Sequence, residues 1–428
     1  MWSDLMESGN KPDAEEAGEL LANFDRYCQK AARALAEADV FLLVTGAGFS
    51  ADSGLAIYRD VAKVPAYQAR DLDYSDICMP HWQFDDPELF YGFWGQCFND
   101  YRKTQPHEGY SILHRWKQDK NFDNNNVAET ISARIERKVE LQRPFDDEIV
   151  ERHAPYLVKS GPAGAFFSFT SNVDAHLHDL FEAHEIHECH GNIESWQCSD
   201  PYCDAGVFRA PLDHSFEIDM ETMLAPSVQG DTSSSSKNDT ATQAGKKSSN
   251  SNHVPHIGQV GGSNRTQPLQ KMPPPKEPNN WRTSTSIATD SEGNDVFPNW
   301  PQCALCKAYA RPAILMFGDA RWKRDIAQGE RWNLWKETVL DLCEKRNSNN
   351  PLKVCIVEVG CGLNVPTCRF ASERMVEDVA RKGGDVVLVR VNPDFPLASD
   401  SDVNDCVIPI MARGLDAIKR IDKHYRGM

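Results

Sequence analysis

Four groups of residues in this sequence have types and spacings that could do chemistry. His190, in "ECHGNI", lies between Cys189 and Gly191. An imidazole there could take a proton near neutral pH and serve as a general base. Asn172 and Asp174, in "FTSNVD", directly follow an apolar run, where their side chains can point into a ligand crevice. Cys198-x4-Cys203 and Cys303-x2-Cys306 lie on turn-like sequences, "QCSDPYCD" and "QCALCKA", at spacings that zinc ribbons use. Gly46-Ala47-Gly48-Phe49-Ser50-Ala51 satisfies the G-x-G-x-x-G/A pattern of a dinucleotide-binding turn.

Each group also has a plainer reading. The other histidines between His176 and His190 read as surface or helix positions, and context alone separates His190 from them. The cysteines could be four unrelated thiols, or Cys303-x2-Cys306 a redox pair, although that pair does not open a helix after a strand. Four thiolates converging on one zinc would make a closed structural site with no open position for catalysis. A hydride-carrying dehydrogenase would need an acidic residue ending a second strand about 20 residues beyond the glycines. That region reads "RDVAKVPAYQARDLDY" and is no buried strand.

The elements that must position these groups follow from hydrophobic patterning. Runs at "VFLLVTG", "AFFSFTS", "VCIVEVG" and "DVVLVRVN" read as buried parallel strands, and each ends in a polar or glycine-containing turn. Helical segments such as "NFDRYCQKAARALAEAD" and "FASERMVEDVARKGG" lie between them, the second stopping at Gly383-Gly384. The alternation predicts an α/β, Rossmann-like doubly wound parallel sheet with a smaller zinc-ribbon and helical domain. The expected division is a flexible acidic N-terminus over 1–25 and an NAD-binding domain from 26–60, 161–190 and 311–428. A helical, aromatic insertion module takes 61–160. A zinc module takes 191–310, including a Ser-, Asn-, Gly- and Pro-rich insertion over 226–299 expected to be disordered.

Composition narrows the class of function. The 428 residues carry 46 Lys and Arg against 63 Asp and Glu, a formal net charge of -17. Such a balance offers no general attraction to nucleic acid or to an anionic membrane. No apolar run approaches the roughly 20 residues that span a bilayer. The N-terminus has neither a signal-peptide pattern nor an Arg-rich amphipathic one. Thirteen cysteines, an odd number, read as thiols or metal ligands rather than a secreted disulfide framework. The expectation is an intracellular protein, cytoplasmic or nuclear.

Taken in chain order, "GAGFSADSGLAIYRD", "FTSNVD", "ECHGNI", the four cysteines, "ARPAILMFGD", "VEVGCGLNVP" and "RVNP" resemble the sirtuins, NAD-dependent protein deacylases. The resemblance runs from about Val40 to Asn392 with the two insertions excepted, and its wording is most similar to a less characterised, bacterial-type branch. It implies that NAD is consumed rather than recycled. Nicotinamide leaves from an oxocarbenium-like ribose, an acyl-lysine oxygen captures that carbon as an alkylimidate, and the acyl group ends on ADP-ribose. Gly46, Ala47 and Gly48 would let the backbone approach the pyrophosphate, with Ser50 and Arg59 on the cofactor and Tyr58 as an aromatic lid. Asn172 and Asp174 would orient the ribose and nicotinamide, and His190 would deprotonate a ribose hydroxyl. Gly360, Gly362 and Asn392 would hold the adenosine half. Phe317 and Gly318 would pair with a substrate peptide, and Cys198, Cys203, Cys303 and Cys306 would hold one structural Zn2+. The implied partner is an acyl-lysine protein or peptide, with no direct nucleic acid and no membrane.

This chain departs from the family pattern at Ala56-Ile57-Tyr58 before Arg59, at Ser171 in place of Gln, and at Cys361-Gly362 in place of Thr-Ser. Two alternatives stay open. Water or another nucleophile could capture the same carbon, giving an NAD hydrolase or a mono-ADP-ribosyltransferase. The fold could also serve a non-catalytic NAD- or ADP-ribose-binding regulator.

Overall fold

The computed structural model describes residues 11–57, 60, 63–142, 162–210, 214–229, 288–289, 295–303 and 305–428. Its centre is a six-stranded parallel sheet. In chain order the strands are β1 (Val40–Thr45), β2 (Phe166–Thr170), β3 (Ile186–Glu188), β10 (Lys353–Val359), β11 (Asp385–Val391) and β12 (Val407–Ile410), ordered across the sheet as β12-β11-β10-β1-β2-β3. Every residue of β1 and β2 is buried, so both faces of the sheet centre must be covered. This is why those strands read as continuous apolar runs. The cover comes from helices α2 (Phe24–Glu37), α5 (Glu108–Asp119), α6 (Asn126–Gln142), α7 (Ile326–Lys345), α8 (Thr367–Arg381) and α9 (Gly414–Tyr425). The fold is therefore a Rossmann-like, doubly wound α/β sheet, as expected.

A smaller antiparallel sheet orders β5 (Val207–Arg209), β4 (Ser195–Cys198) and β9 (Ala310–Pro312). It shares a second core with α4 (Pro87–Lys103), whose Phe90, Phe93, Trp94 and Phe98 pack with Trp196, Phe208 and Met316. Arg102 on α4 makes a bidentate ion pair with Glu194 at 2.7 and 2.8 Å, tying the helix to the turn before β4.

Three details bear on the expected division. The described part of 61–160 packs in two places. Val64 to Phe98 belong to the second core, whereas Tyr110 to Ile135 pack around the large sheet. Within the N-terminal segment expected to be flexible, Asp13 and Glu16 form a reciprocal capping box that starts helix α1 (Ala14–Ala22), and Leu20 is buried. The insertion of 226–299 is ordered at its ends. There β6 (Val228–Gln229) pairs antiparallel with β8 (Asp295–Pro298), which in turn pairs with β7 (Ala288–Thr289). Asn299 closes the junction by donating to the carbonyls of Glu217 and Pro226 at 2.8 and 2.9 Å. Residues 230–287 and 290–294, to which the disorder expectation otherwise applies, lie outside the described residues. No described helix is long and apolar enough to cross a membrane.

Candidate functional site

A cavity of about 410 Å³ opens at the carboxyl ends of the central strands, between the two cores. Ala47, Ser50, Asn172, Asp174, His190, Phe317 and Gly318, all singled out from the sequence, line it together. The strand ends bring them there. β1 delivers Ser50 through α3 (Ala47–Ala51), β2 delivers Asn172 and Asp174, and β3 delivers His190. Thr45 and Thr170 sit opposite each other at the last rung of β1 and β2, and their hydroxyls bond at 2.8 Å. Thr170 Oγ1 also accepts from Asn172 N at 3.0 Å, which fixes the exit of the chain from β2.

Ser50, Asn172 and Asp174 form one polar cluster on an otherwise largely apolar wall. The Ser50 hydroxyl donates to the Asp174 carboxylate, and Asn172 Nδ2 donates to Ser50 Oγ at 2.9 Å. All three residues are buried. Among the described residues Asn172 Oδ1 has no hydrogen-bond partner, and a buried amide acceptor left so costs on the order of 1–3 kcal/mol. A ligand hydroxyl or amide in the cavity would satisfy it.

His190 sits on a turn that presses against the segment leading to Phe317. Gly191 has φ +74°, and a Cβ there would stand 2.0 Å from the Ala313 carbonyl oxygen, so glycine alone fits. The His190 carbonyl accepts from Leu315 N at 2.9 Å, and its Nε2 lies 3.4 Å from Thr367 Oγ1. Burial lowers the His190 pKa, opposed by Cys368 and by a backbone hydrogen bond to Ser171. The ring is thereby held in its neutral, proton-accepting form near pH 7. Its neighbour His187 is different: burial, aided by Arg331, pushes it down to about 4, and it packs against Phe169 rather than lining the cavity.

The glycine turn has a local role that its motif did not reveal. Gly48 N donates to the Gly360 carbonyl at 3.0 Å, and Gly360, at φ +68°, would place a Cβ 2.2 Å from Phe49 N. The two loops thus interlock backbone to backbone. Asn392 supports them: its Nδ2 donates to Cys361 O at 2.8 Å, and its Oδ1 accepts from Asp394 N and Phe395 N, both at 2.9 Å. Gly46, Gly48, Gly360 and Asn392 back the cavity without lining it, and a Cβ at Gly362 would meet nothing within 4 Å. Tyr58 and Arg59 lie outside the described residues.

Sequence reasoning missed the far wall. Phe93, Trp94, Cys97 and Tyr101 of α4 line the cavity together with Tyr74 and Cys78. Their spacing along one helix face was visible, but an aromatic stripe at that period also describes an ordinary core helix.

Cys198, Cys203, Cys303 and Cys306 come together with all four sulfurs within 4.8 Å of one another. Cys198 and Cys306 are 3.4 Å apart, and Cys203 and Cys303 3.7 Å. Sulfurs at about 2.3 Å from a tetrahedral zinc would be separated by comparable distances. The set fits a closed zinc site, and it joins β4 to the turn before β9 across the insertion.

No family model matches the chain, and no curated protein matches it. Among solved structures, the chain is similar to a Sir2 homologue in complex with NAD, at 14% identity and a TM-score of 0.44, over 93% of this chain and 94% of that one. It is similar to a structure described as the structural basis of sirtuin substrate affinity, at 14% identity and a TM-score of 0.43, over 90% and 94% of the two chains. A third is a Sir2 protein with a deacetylated p53 peptide and 3'-O-acetyl ADP-ribose, at 14% identity and a TM-score of 0.42, over 92% and 97%.

Proposed function

We propose that the protein is an NAD-dependent protein-lysine deacylase that releases nicotinamide and transfers the acyl group to ADP-ribose. The observation that carries this reading is the convergence of a neutral, buried His190 with the Ser50–Asn172–Asp174 cluster in one cavity. The Asn172 acceptor, without a partner among the described residues, and the interlocked glycine loops suit a nucleotide with many hydroxyls. Bound NAD would supply an electrophilic ribose carbon once its nicotinamide leaves.

The residues divide the remaining work. The Asp174 carboxylate, held by Ser50, would carry the negative charge that favours a cationic ribose. Asn172 would orient the ribose through its free acceptor. His190 would remove a proton from a ribose hydroxyl and so make it the nucleophile that takes the acyl group. The substrate peptide would lie along Leu315–Gly318. Phe317 N is engaged by Cys78 O at 3.1 Å, whereas the Phe317 carbonyl and the Gly318 N–H make no backbone hydrogen bond among the described residues. That pair suits an added strand. One structural Zn2+ on the four cysteines would hold the small sheet, and the α4 wall would surround the acyl-lysine stem.

The test is nicotinamide release by the purified full chain, with and without an acyl-lysine peptide. Release that requires the peptide supports the deacylase. Release independent of peptide would make the protein an NAD hydrolase, and no release with retained ADP-ribose binding would make it a regulator.

A further inference from the structure

The wall that α4 presents to the cavity is largely apolar and stands behind the peptide strand. Phe93, Trp94, Cys97 and Tyr101 fall on one face of the helix and line the cavity together. The opposite face fixes where that wall stands. A Cβ at Gly92 would lie 2.0 Å from the Met223 carbonyl oxygen, so the helix is pressed against the second core there. Asn99 Nδ2 donates to Phe216 O at 2.9 Å, and its Oδ1 accepts from Phe216 N at 3.0 Å. Rings connect the wall to the strand: Tyr74 touches both Phe317 and Phe93, with centroids 6.2 and 6.4 Å away. Trp94 carries an open donor. It is 2% exposed, and its indole N–H has no hydrogen-bond partner among the described residues.

On the deacylase reading above, we infer that the acyl group removed here is uncharged, longer than acetyl, and carries an acceptor oxygen for the Trp94 indole N–H. The size follows from the cavity. A dry cavity of about 150 Å³ holds a benzene-sized group. The 410 Å³ here therefore holds a nicotinamide ring and a lysine stem, and leaves room for roughly one more such group. An acetyl methyl would leave that space unfilled. A four-carbon chain would bury apolar surface against Phe93 and Cys97.

Charge is disfavoured by what surrounds the space. None of the described residues that line the cavity is Lys or Arg, while the Asp174 and Asp319 carboxylates are both there. Arg311, behind Asp319, is committed to it by two hydrogen bonds of 2.7 and 2.9 Å. A succinyl carboxylate would thus be buried among apolar rings and like charges, with no cation among those residues to pair it. A neutral oxygen meets a different surface. It accepts from the buried indole donor, which stays unpaired when a plain hydrocarbon chain fills the pocket.

The full chain is given NAD and an equimolar mixture of one peptide carrying acetyl-, butyryl-, 3-hydroxybutyryl- or succinyl-lysine. Depletion of each peptide, followed by mass spectrometry, reads the ratios of kcat/KM. The expected order is 3-hydroxybutyryl, then butyryl, then acetyl, with succinyl last. Butyryl should lead acetyl by at least about 10-fold, the smallest effect of one methylene in an apolar pocket. Trp94→Phe, which keeps a ring and removes the N–H, should bring 3-hydroxybutyryl level with butyryl or below it. The order shown by the parent chain decides the matter even where that variant does not fold. Acetyl or succinyl ahead of butyryl, butyryl ahead of 3-hydroxybutyryl, or a preference unchanged in Trp94→Phe would overturn the acyl class and leave a deacylase. Nicotinamide release that no peptide raises would remove the deacylase reading and the acyl class with it.

Discussion

On the proposed function, the pH behaviour of the site turns on a single side chain, His190. Burial lowers its pKa, so the neutral base persists below the ordinary histidine value of about 6.5. Activity should therefore rise with pH along a limb centred below 6.5 and stay level through neutrality; a limb centred above 7 would assign the base elsewhere. His190→Ala should cost 10²- to 10⁴-fold in turnover while ADP-ribose binding, measured by calorimetry, stays near that of the parent. His187 supplies a control with a different signature. Its folded pKa is about 4 against about 6.5 unfolded, so the unfolded chain takes its proton first. The stability it supports is full above pH 6.5 and is lost as pH falls towards 4. His187→Gln should flatten that decline in denaturant titrations without a comparable loss of turnover. Asn172 and Asp174 stood out because they follow directly on a readable strand end, and His190 only through its place between Cys189 and Gly191.

Among the elements, the central strands were the most readable part of the sequence, since burial on both faces leaves an unbroken apolar run. β3 and β12 were not read, being short edge strands whose polar residues or proline break the pattern: "IHE" and "VIPI". The α4 wall was hidden because a helix lining a cavity and a helix filling a core carry the same stripe. The interlock of Gly48 with Gly360 makes a specific demand of two loops. Gly360→Ala would force a Cβ into Phe49 N and strain a left-handed backbone, so it should destabilise the fold by more than 1 kcal/mol and weaken NAD binding; Gly362→Ala, in open space, should do neither to that extent. The four-cysteine cluster makes another. Cys303→Ser, at a fully buried sulfur, should release about one zinc per chain and lower the melting temperature, and stoichiometric zinc retained after loss of both Cys303 and Cys306 would refute the site.

The described residues form two large cores with the candidate site between them. β6 and β8 already close the base of the long insertion, and Asn299 ties that base to the second core. Replacing residues 231–286 with a short Gly/Ser linker should therefore leave zinc content and melting temperature unchanged. Loop closure itself contributes only about 0.6 kcal/mol per halving of length. The two-core plan was only half legible: the alternation of strands and helices announces the large sheet, but nothing local in 61–160 says that its first part joins one core and its second part the other. The joint position of the cavity leads to the central claim, that peptide and nucleotide react together there. Its most direct measurement is the ratio of nicotinamide released to peptide deacylated in a single time course with the full chain. Coupled chemistry predicts one nicotinamide for each acyl group removed, with the acyl group recovered on ADP-ribose. Nicotinamide in large excess over deacylated peptide, or deacylation without nicotinamide, would contradict it.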